Sequence, residues 1–135
     1  MPKILITGGC GFLGSNLAYD FLNSGDEVFI LDTLYREGSR LNLDWLESNT
    51  SSKNLNFFKI DIKDKLLVQK VFKENKKFDF VIHVAGQVAM TTSLKDPYLD
   101  FCTNALGTLN LLEATREYSP EALFAFSSTN KVYGD

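Results

Sequence analysis

Four glycines stand in the run Ile4-Leu5-Ile6-Thr7-Gly8-Gly9-Cys10-Gly11-Phe12-Leu13-Gly14-Ser15, between a short apolar stretch and a segment with Leu17, Ala18, Phe21 and Leu22 at helical spacing. Strand, glycine turn and helix, in that order, build a phosphate site. Glycines let backbone come close to a pyrophosphate, and the helix N-terminus behind them offers unpaired N–H groups and a partial positive charge. Gly9, Gly11 and Gly14 satisfy G-x-G-x-x-G, and Gly8, Gly11 and Gly14 the wider G-x-x-G-x-x-G. Glycine turns are common, so the weight lies in the position between strand and helix. A second residue adds to it. After Asn23-Ser24-Gly25-Asp26, the apolar stretch Glu27-Val28-Phe29-Ile30-Leu31 ends in Asp32. An acid there, roughly twenty residues past the glycines, is placed to hold the adenosine ribose of a dinucleotide by its hydroxyls. The plainer reading makes Asp32 a loop-opening acid. A carboxylate repels an extra 2′-phosphate, which favours NAD over NADP; Arg36 and Arg40 in the next loop weigh the other way.

The elements that must position these residues alternate along the whole chain. A short helix is expected around Leu41 to Leu46, and a third strand, Leu55 to Ile60, ends in Asp61. From Asp64 to Glu74, Leu66, Leu67, Val71 and Phe72 fall on one side at helical spacing. A fourth strand, Phe80 to Val84, leads into Ala85-Gly86-Gln87. A long helical pattern runs from Pro97 to about Tyr118 and presents Phe101, Ala105, Leu109, Leu112 and Ala114, with Pro97 suited to a first helical position. The fifth strand, Ala122 to Phe126, ends in Ser127-Ser128-Thr129. Such alternation predicts an α/β fold, a Rossmann-type doubly wound parallel sheet in the order 3-2-1-4-5 with both faces covered. Its ligand end is the row of strand termini, and small and polar residues gather there.

With 135 residues, 44% of them hydrophobic, the chain suits one domain, residues 1–135. The net charge of −3 argues against a nucleic-acid surface. No apolar run approaches membrane-spanning length, and the N-terminus lacks the layout of a signal peptide. Cys10 and Cys102 match no metal spacing and read as free thiols of a reducing compartment, which points to the cytoplasm. Cys10 lies near a helix N-terminus, where a lowered thiol pKa is conceivable, but a small residue filling a tight turn is the simpler expectation. His83, the one imidazole, reads as a strand-end residue packed beneath the cofactor loop rather than a catalyst.

Taken together, these segments resemble the extended short-chain dehydrogenase/reductase family, the nucleotide-sugar epimerases and dehydratases, over the whole chain. Thr7 to Gly14 is similar to the family's cofactor signature, which brings Phe12 and Leu13 into the binding turn. Asp61-Ile62 resembles its adenine-contacting pair, and His83-Val84-Ala85-Gly86, followed by Gln87, its strand-four element beneath the cofactor. Asn104 to Ala114 is similar to its long-helix signature, in which Asn104 would support the active site. Ser127 to Gly134 resembles the strand-five segment, with Ser127 beside the cofactor and Thr129 as the catalytic hydroxyl. Without the resemblance, Thr129 reads as a strand-end capping hydroxyl.

Two departures narrow the likeness. Asn130 and Lys131 stand where the 4,6-dehydratases carry their acid and base, and neither can act as a carboxylate base, so elimination is disfavoured. Gln87-Val88-Ala89-Met90-Thr91-Thr92-Ser93 differs from the usual 4-epimerase loop and, together with Ser127 to Asp135, resembles a branch acting on CDP-sugars; Thr91, Thr92 and Ser93 touch substrate or are ordinary loop hydroxyls. The implied activity is NAD-dependent epimerisation, with hydride taken from a sugar carbon and returned to its opposite face, on a CDP-sugar or other nucleotide-sugar and in a homo-oligomeric whole enzyme. The family's Tyr-x-x-x-Lys pair has no counterpart here. The chain is therefore expected to be the N-terminal, NAD-binding part of a longer enzyme, truncated before the last strands and the substrate domain and inactive alone. A UDP-sugar 4-epimerase is the alternative within the family, and a non-catalytic NAD(P)-sensing regulatory protein the alternative outside it.

Overall fold

The computed structural model describes residues 1–87 and 89–134. Val88, in the run that differs from the 4-epimerase loop, and Asp135 lie outside the described residues, and so does the side chain of Asn130. Five strands, β1 (Lys3–Thr7), β2 (Glu27–Asp32), β3 (Leu55–Lys59), β4 (Phe80–His83) and β5 (Leu123–Phe126), form one sheet in the order β3-β2-β1-β4-β5. All neighbours are parallel, as the alternation predicts. Their side chains divide by the period of two that a pleat imposes. Ile4, Ile6, Val28 and Ile30 point to one face, where α1 (Phe12–Asn23) and α2 (Ser39–Asn49) cover them with Ala18, Leu22, Leu43 and Leu46. Leu5, Phe29, Leu31 and Val81 point to the other, under α3 (Lys65–Asn75) and α6 (Gly107–Tyr118).

Three expectations need correction. The buried side of α3 is Val68, Val71 and Phe72, whereas Leu66 and Leu67 face solvent. The long helix runs from Pro97 to Tyr118 as expected, with a π-helical turn (Cys102–Leu106) between α5 (Pro97–Phe101) and α6, but its inner face is not the expected one. Its inner side is Gly107, Asn110, Leu111, Ala114 and Thr115, while Phe101, Ala105, Leu109 and Leu112 are exposed. Small residues line the inner side because α6 lies close on its neighbours: a Cβ added at Gly107 would stand 2.7 Å from Ile62 Cδ1. The stretch holding Thr91, Thr92 and Ser93 is not loop but a short helix, α4 (Met90–Lys95).

Register decides what the sheet presents. Thr7 lies beside Leu31 on one side and His83 on the other, and His83 lies beside Phe126. The carboxyl ends of four strands therefore form one row, and the loops that follow them share one rim. The winding reverses between β1 and β4, which opens a crevice at that point.

Candidate functional site

The glycine turn sits at the β1 end of the crevice. Gly8 N–H donates to Leu31 O at 2.8 Å, and Gly11 N–H to Gly8 O at 3.1 Å. Gly8 has φ of 69°, and a Cβ there would stand 2.9 Å from the N and Cα of Ala85. At Gly14 a Cβ would stand 2.7 Å from Gly9 Cα, so only glycine lets α1 lie this close to the turn. Among the described residues no side chain caps α1, whose N-cap is Gly11. Phe12 and Leu13 in its first turn are exposed, and Gly14 is buried. A compact glycine backbone leading to uncapped first-turn N–H groups is the local chemistry a pyrophosphate requires, and these residues fit one.

The β2 end supplies the carboxylate. Asp32 Oδ2 accepts from Cys10 N–H at 3.0 Å and Oδ1 from Leu34 N–H at 2.8 Å, so the acid is tied to the glycine turn and to its own loop. Leu34, at φ of 57°, holds a left-handed conformation within that turn. On the far side of the Cys10 peptide, Asn42 Nδ2 of α2 donates to Cys10 O at 2.8 Å. The Cys10 thiol is fully buried, and its pKa is pushed up to about 12 by burial first and by the Asp32 carboxylate second. It fills the turn and is not activated. Arg40 pairs with Asp44 at 3.1 Å on the surface of α2, and Arg36 is exposed.

Beyond β3, Asp61 Oδ1 accepts from Lys63 N–H at 2.9 Å, and its Oδ2 lies 3.6 Å from Lys63 Nζ. Ile62 is buried against Gly107. Asn110 Nδ2, from inside α6, donates to Ile62 O at 2.9 Å and Lys63 O at 3.2 Å. Neither Asn42 nor Asn110 stands out in the sequence. Their signal is a polar residue between leucines, Leu41-Asn42-Leu43 and Leu109-Asn110-Leu111, on helices that pack on the sheet.

The β4–β5 end is a cleft of about 620 Å³ lined by Ala85, Gly86, Gln87, Asn104 and Ser127 to Thr129. Asn104, from the π-helical turn, accepts from Gln87 N–H at 2.8 Å through Oδ1 and donates to Asp100 Oδ1 at 3.0 Å. Gly86 lets that carboxamide approach, since a Cβ there would stand 3.1 Å from Asn104 Oδ1. Ser127 N–H donates to His83 O at 3.1 Å, prolonging the β4–β5 ladder. Thr129 is exposed at the rim, and its Oγ1 accepts from Lys131 N–H at 3.2 Å, capping a 3₁₀ turn (Asn130–Tyr133). His83 lies beneath, 5% exposed, as a packed strand-end residue. Its Nδ1 is 2.7 Å from Thr7 Oγ1 and its Nε2 is 2.8 Å from Thr108 Oγ1. The structure thus brings Asp32 to the glycine turn, and Gln87, Asn104, Ser127 and Thr129 to the other end of the same crevice. Asp61 and Ile62 stand on the outer, β3 side.

A family model described as GDP-mannose 4,6 dehydratase matches residues 5–135. CDP-paratose 2-epimerase of Salmonella typhi is 50% identical over 133 residues, which are 98% of this chain and 38% of that protein. Among solved structures, the UDP-glucose 4-epimerase of Thermus thermophilus in complex with NAD has a TM-score of 0.72 at 42% identity, covering 86% of this chain and 34% of that one. A UDP-glucose-4-epimerase from Stenotrophomonas maltophila, with bound NAD and formylated UDP-arabinopyranose, has a TM-score of 0.87 at 28% identity, covering 100% and 39%. The chain spans between a third and two fifths of the length of these proteins and, in the epimerase from Salmonella, the N-terminal part. Glycine turn, strand-end acid, sheet order and matched family model agree that this chain belongs to the NAD-dependent epimerase/dehydratase family, the extended short-chain dehydrogenases/reductases.

Proposed function

We propose that the chain is the NAD-binding part of a nucleotide-sugar epimerase of the cytoplasm acting on a CDP-sugar, with the chemistry of a CDP-paratose 2-epimerase (also called CDP-tyvelose epimerase). The observation that carries the NAD reading is the Asp32 carboxylate locked to the Cys10 N–H, one strand from an uncapped helix N-terminus. In this reading Gly8, Gly11, Phe12, Leu13 and Gly14 hold the pyrophosphate, Asp32 the adenosine ribose, and Asp61 and Ile62 the adenine. Ala85, Gly86, Gln87, Asn104 and Ser127 surround the other nucleoside. Bound there, NAD supplies a hydride acceptor that later returns the hydride. Thr129 Oγ1 accepts from Lys131 N–H, which leaves its own proton to donate to a sugar oxygen as charge develops on it. The preference for a CDP-sugar over a UDP-sugar rests on the 50% identity to the Salmonella epimerase.

Calorimetry with NAD and NADP tests the cofactor. NAD binds, NADP binds more weakly because Asp32 repels the 2′-phosphate, and Asp32→Ala narrows the gap between them. Gly14→Ala, which forces a Cβ against the Gly9 backbone, lowers NAD affinity at least tenfold, about 1.4 kcal/mol. If NAD releases no heat and shifts no resonance around Gly11, the reading is wrong. Substrate choice is tested on a longer chain carrying the Tyr-x-x-x-Lys pair, by comparing CDP- and UDP-sugars. Faster turnover of UDP-glucose than of any CDP-sugar assigns it to the 4-epimerases instead.

A further inference from the structure

His83 lies inside a string of hydrogen bonds whose direction can be read from its two ends. Ala85 N–H donates to Thr7 Oγ1 at 3.3 Å, which leaves the Thr7 hydroxyl proton for His83 Nδ1, 2.7 Å away. At the other end Thr108 Oγ1 donates to Asn104 O at 2.6 Å, so that oxygen accepts from His83 Nε2 at 2.8 Å. The backbone acceptor at the Thr108 end places a proton on Nε2, and burial, which lowers the His83 pKa, keeps the ring neutral, so Nδ1 accepts the Thr7 proton. The two ends matter. Thr7 adjoins Gly8 of the glycine turn. Asn104 lies in the π-helical turn, a wide turn that helices carry at functional positions, and its carboxamide grips the Gln87 backbone.

We propose that His83 is a positioning residue: through Thr108 it holds the π-helical turn, and so sets Asn104 and Gln87 at the nicotinamide end of the crevice. This rests on the reading of the crevice as a dinucleotide site. With the adenosine side at Asp32, the nicotinamide side falls at β4, where this string ends. Thr108 serves the arrangement directly. Its hydroxyl occupies the Asn104 carbonyl while accepting from the imidazole, which couples the turn to the floor of the sheet.

The test uses two readouts on this chain. Its single histidine makes the imidazole nitrogen spectrum self-assigning. The Nε2–H form is expected in the absence of ligand; an Nδ1–H form or averaged tautomers overturn the string. Thr108→Val and Thr108→Ser are then titrated with NAD and with ADP-ribose, which lacks the nicotinamide. T108V is expected to lose about tenfold on NAD and no more than about twofold on ADP-ribose, the scale of one misplaced hydrogen-bonding group. T108S, which keeps the hydroxyl, restores NAD binding. Equal loss on both ligands, or loss on neither, overturns the positioning role while leaving the dinucleotide site standing. A wild-type chain that binds neither ligand overturns the dinucleotide reading and this inference with it.

Discussion

Cys10 shows how little a residue's type says until its surroundings are known. Placed near a helix N-terminus it could be an activated thiol, yet burial and the Asp32 carboxylate both oppose its ionisation. In the folded chain an alkylating reagent at neutral pH should therefore label Cys102, which is partly exposed, and leave Cys10 untouched; in denaturant both should react. Mass spectrometry that finds Cys10 labelled under native conditions refutes the closed turn. His83 carries a second prediction. Burial lowers its pKa from 6.5, so the folded chain takes up its proton less readily than the unfolded one. Its contribution to stability is then whole above about pH 6.5 and falls away as the pH drops through that value toward the lower folded pKa. Urea midpoints from pH 7.5 to pH 5 should fall more steeply for the wild type than for His83→Asn, and parallel slopes would refute this. Asp32 and the glycines were legible as types at a spacing. The hydrogen bonds that Thr7, Asn42 and Thr108 make to Ala85, Cys10 and His83 were not, because these partners lie between 25 and 78 residues away and only the folded register brings them together.

All five strands follow from apolar runs and turn signals, since a parallel sheet covered on both faces demands apolar strands, and their order is the usual one of the Rossmann-type fold that the glycine turn and Asp32 indicate. The helices were harder to read. On α3 two leucines suggested the wrong phase, because Val68, Val71 and Phe72 set the contact and Leu66 and Leu67 are left over. On α5 and α6 the apolar residues marked the outer side, and the inner side, built of Gly107, Asn110, Ala114 and Thr115 around Leu111, looked polar. Close packing hides such a face: small side chains permit short separation, and a buried amide does the work of a large apolar group. Asn110 is the clearest instance, tying α6 to the turn after Ile62. Asn110→Leu keeps the branched shape but leaves the Ile62 and Lys63 carbonyls without their donor, at about 1–3 kcal/mol for each that stays dry. Urea unfolding should show a loss of that size, with NAD affinity reduced because Asp61 and Ile62 shift together. An unchanged midpoint would mean that water replaces the amide.

The sheet as a whole is asymmetric at its edges. β3, at one edge, interrupts its apolar residues with Asn56 and ends in Lys59, whereas β5, at the other, reads Leu-Phe-Ala-Phe with no polar side chain. Leu123 is 57% exposed and Phe126 66% exposed. Phe101, Leu109 and Leu112 are exposed as well, on the outer side of the helix that precedes β5. Among the described residues one edge of β5 has no strand partner, and an uncharged apolar edge with free backbone groups is a template for pairing with another chain. The 135-residue chain should accordingly self-associate as its concentration rises, and the association should run through β5 rather than β3. Leu123→Lys places a charge at the start of that strand, opposite the end that carries Ser127, and so separates the edge from the crevice. In sedimentation, its weight-average mass should fall toward the monomer while NAD affinity stays within about twofold of wild type, a difference under 0.5 kcal/mol. If the wild type is monomeric at every concentration, the edge is not adhesive. If L123K associates as strongly as wild type, the contact lies elsewhere, and the outer side of α5 and α6 becomes its place.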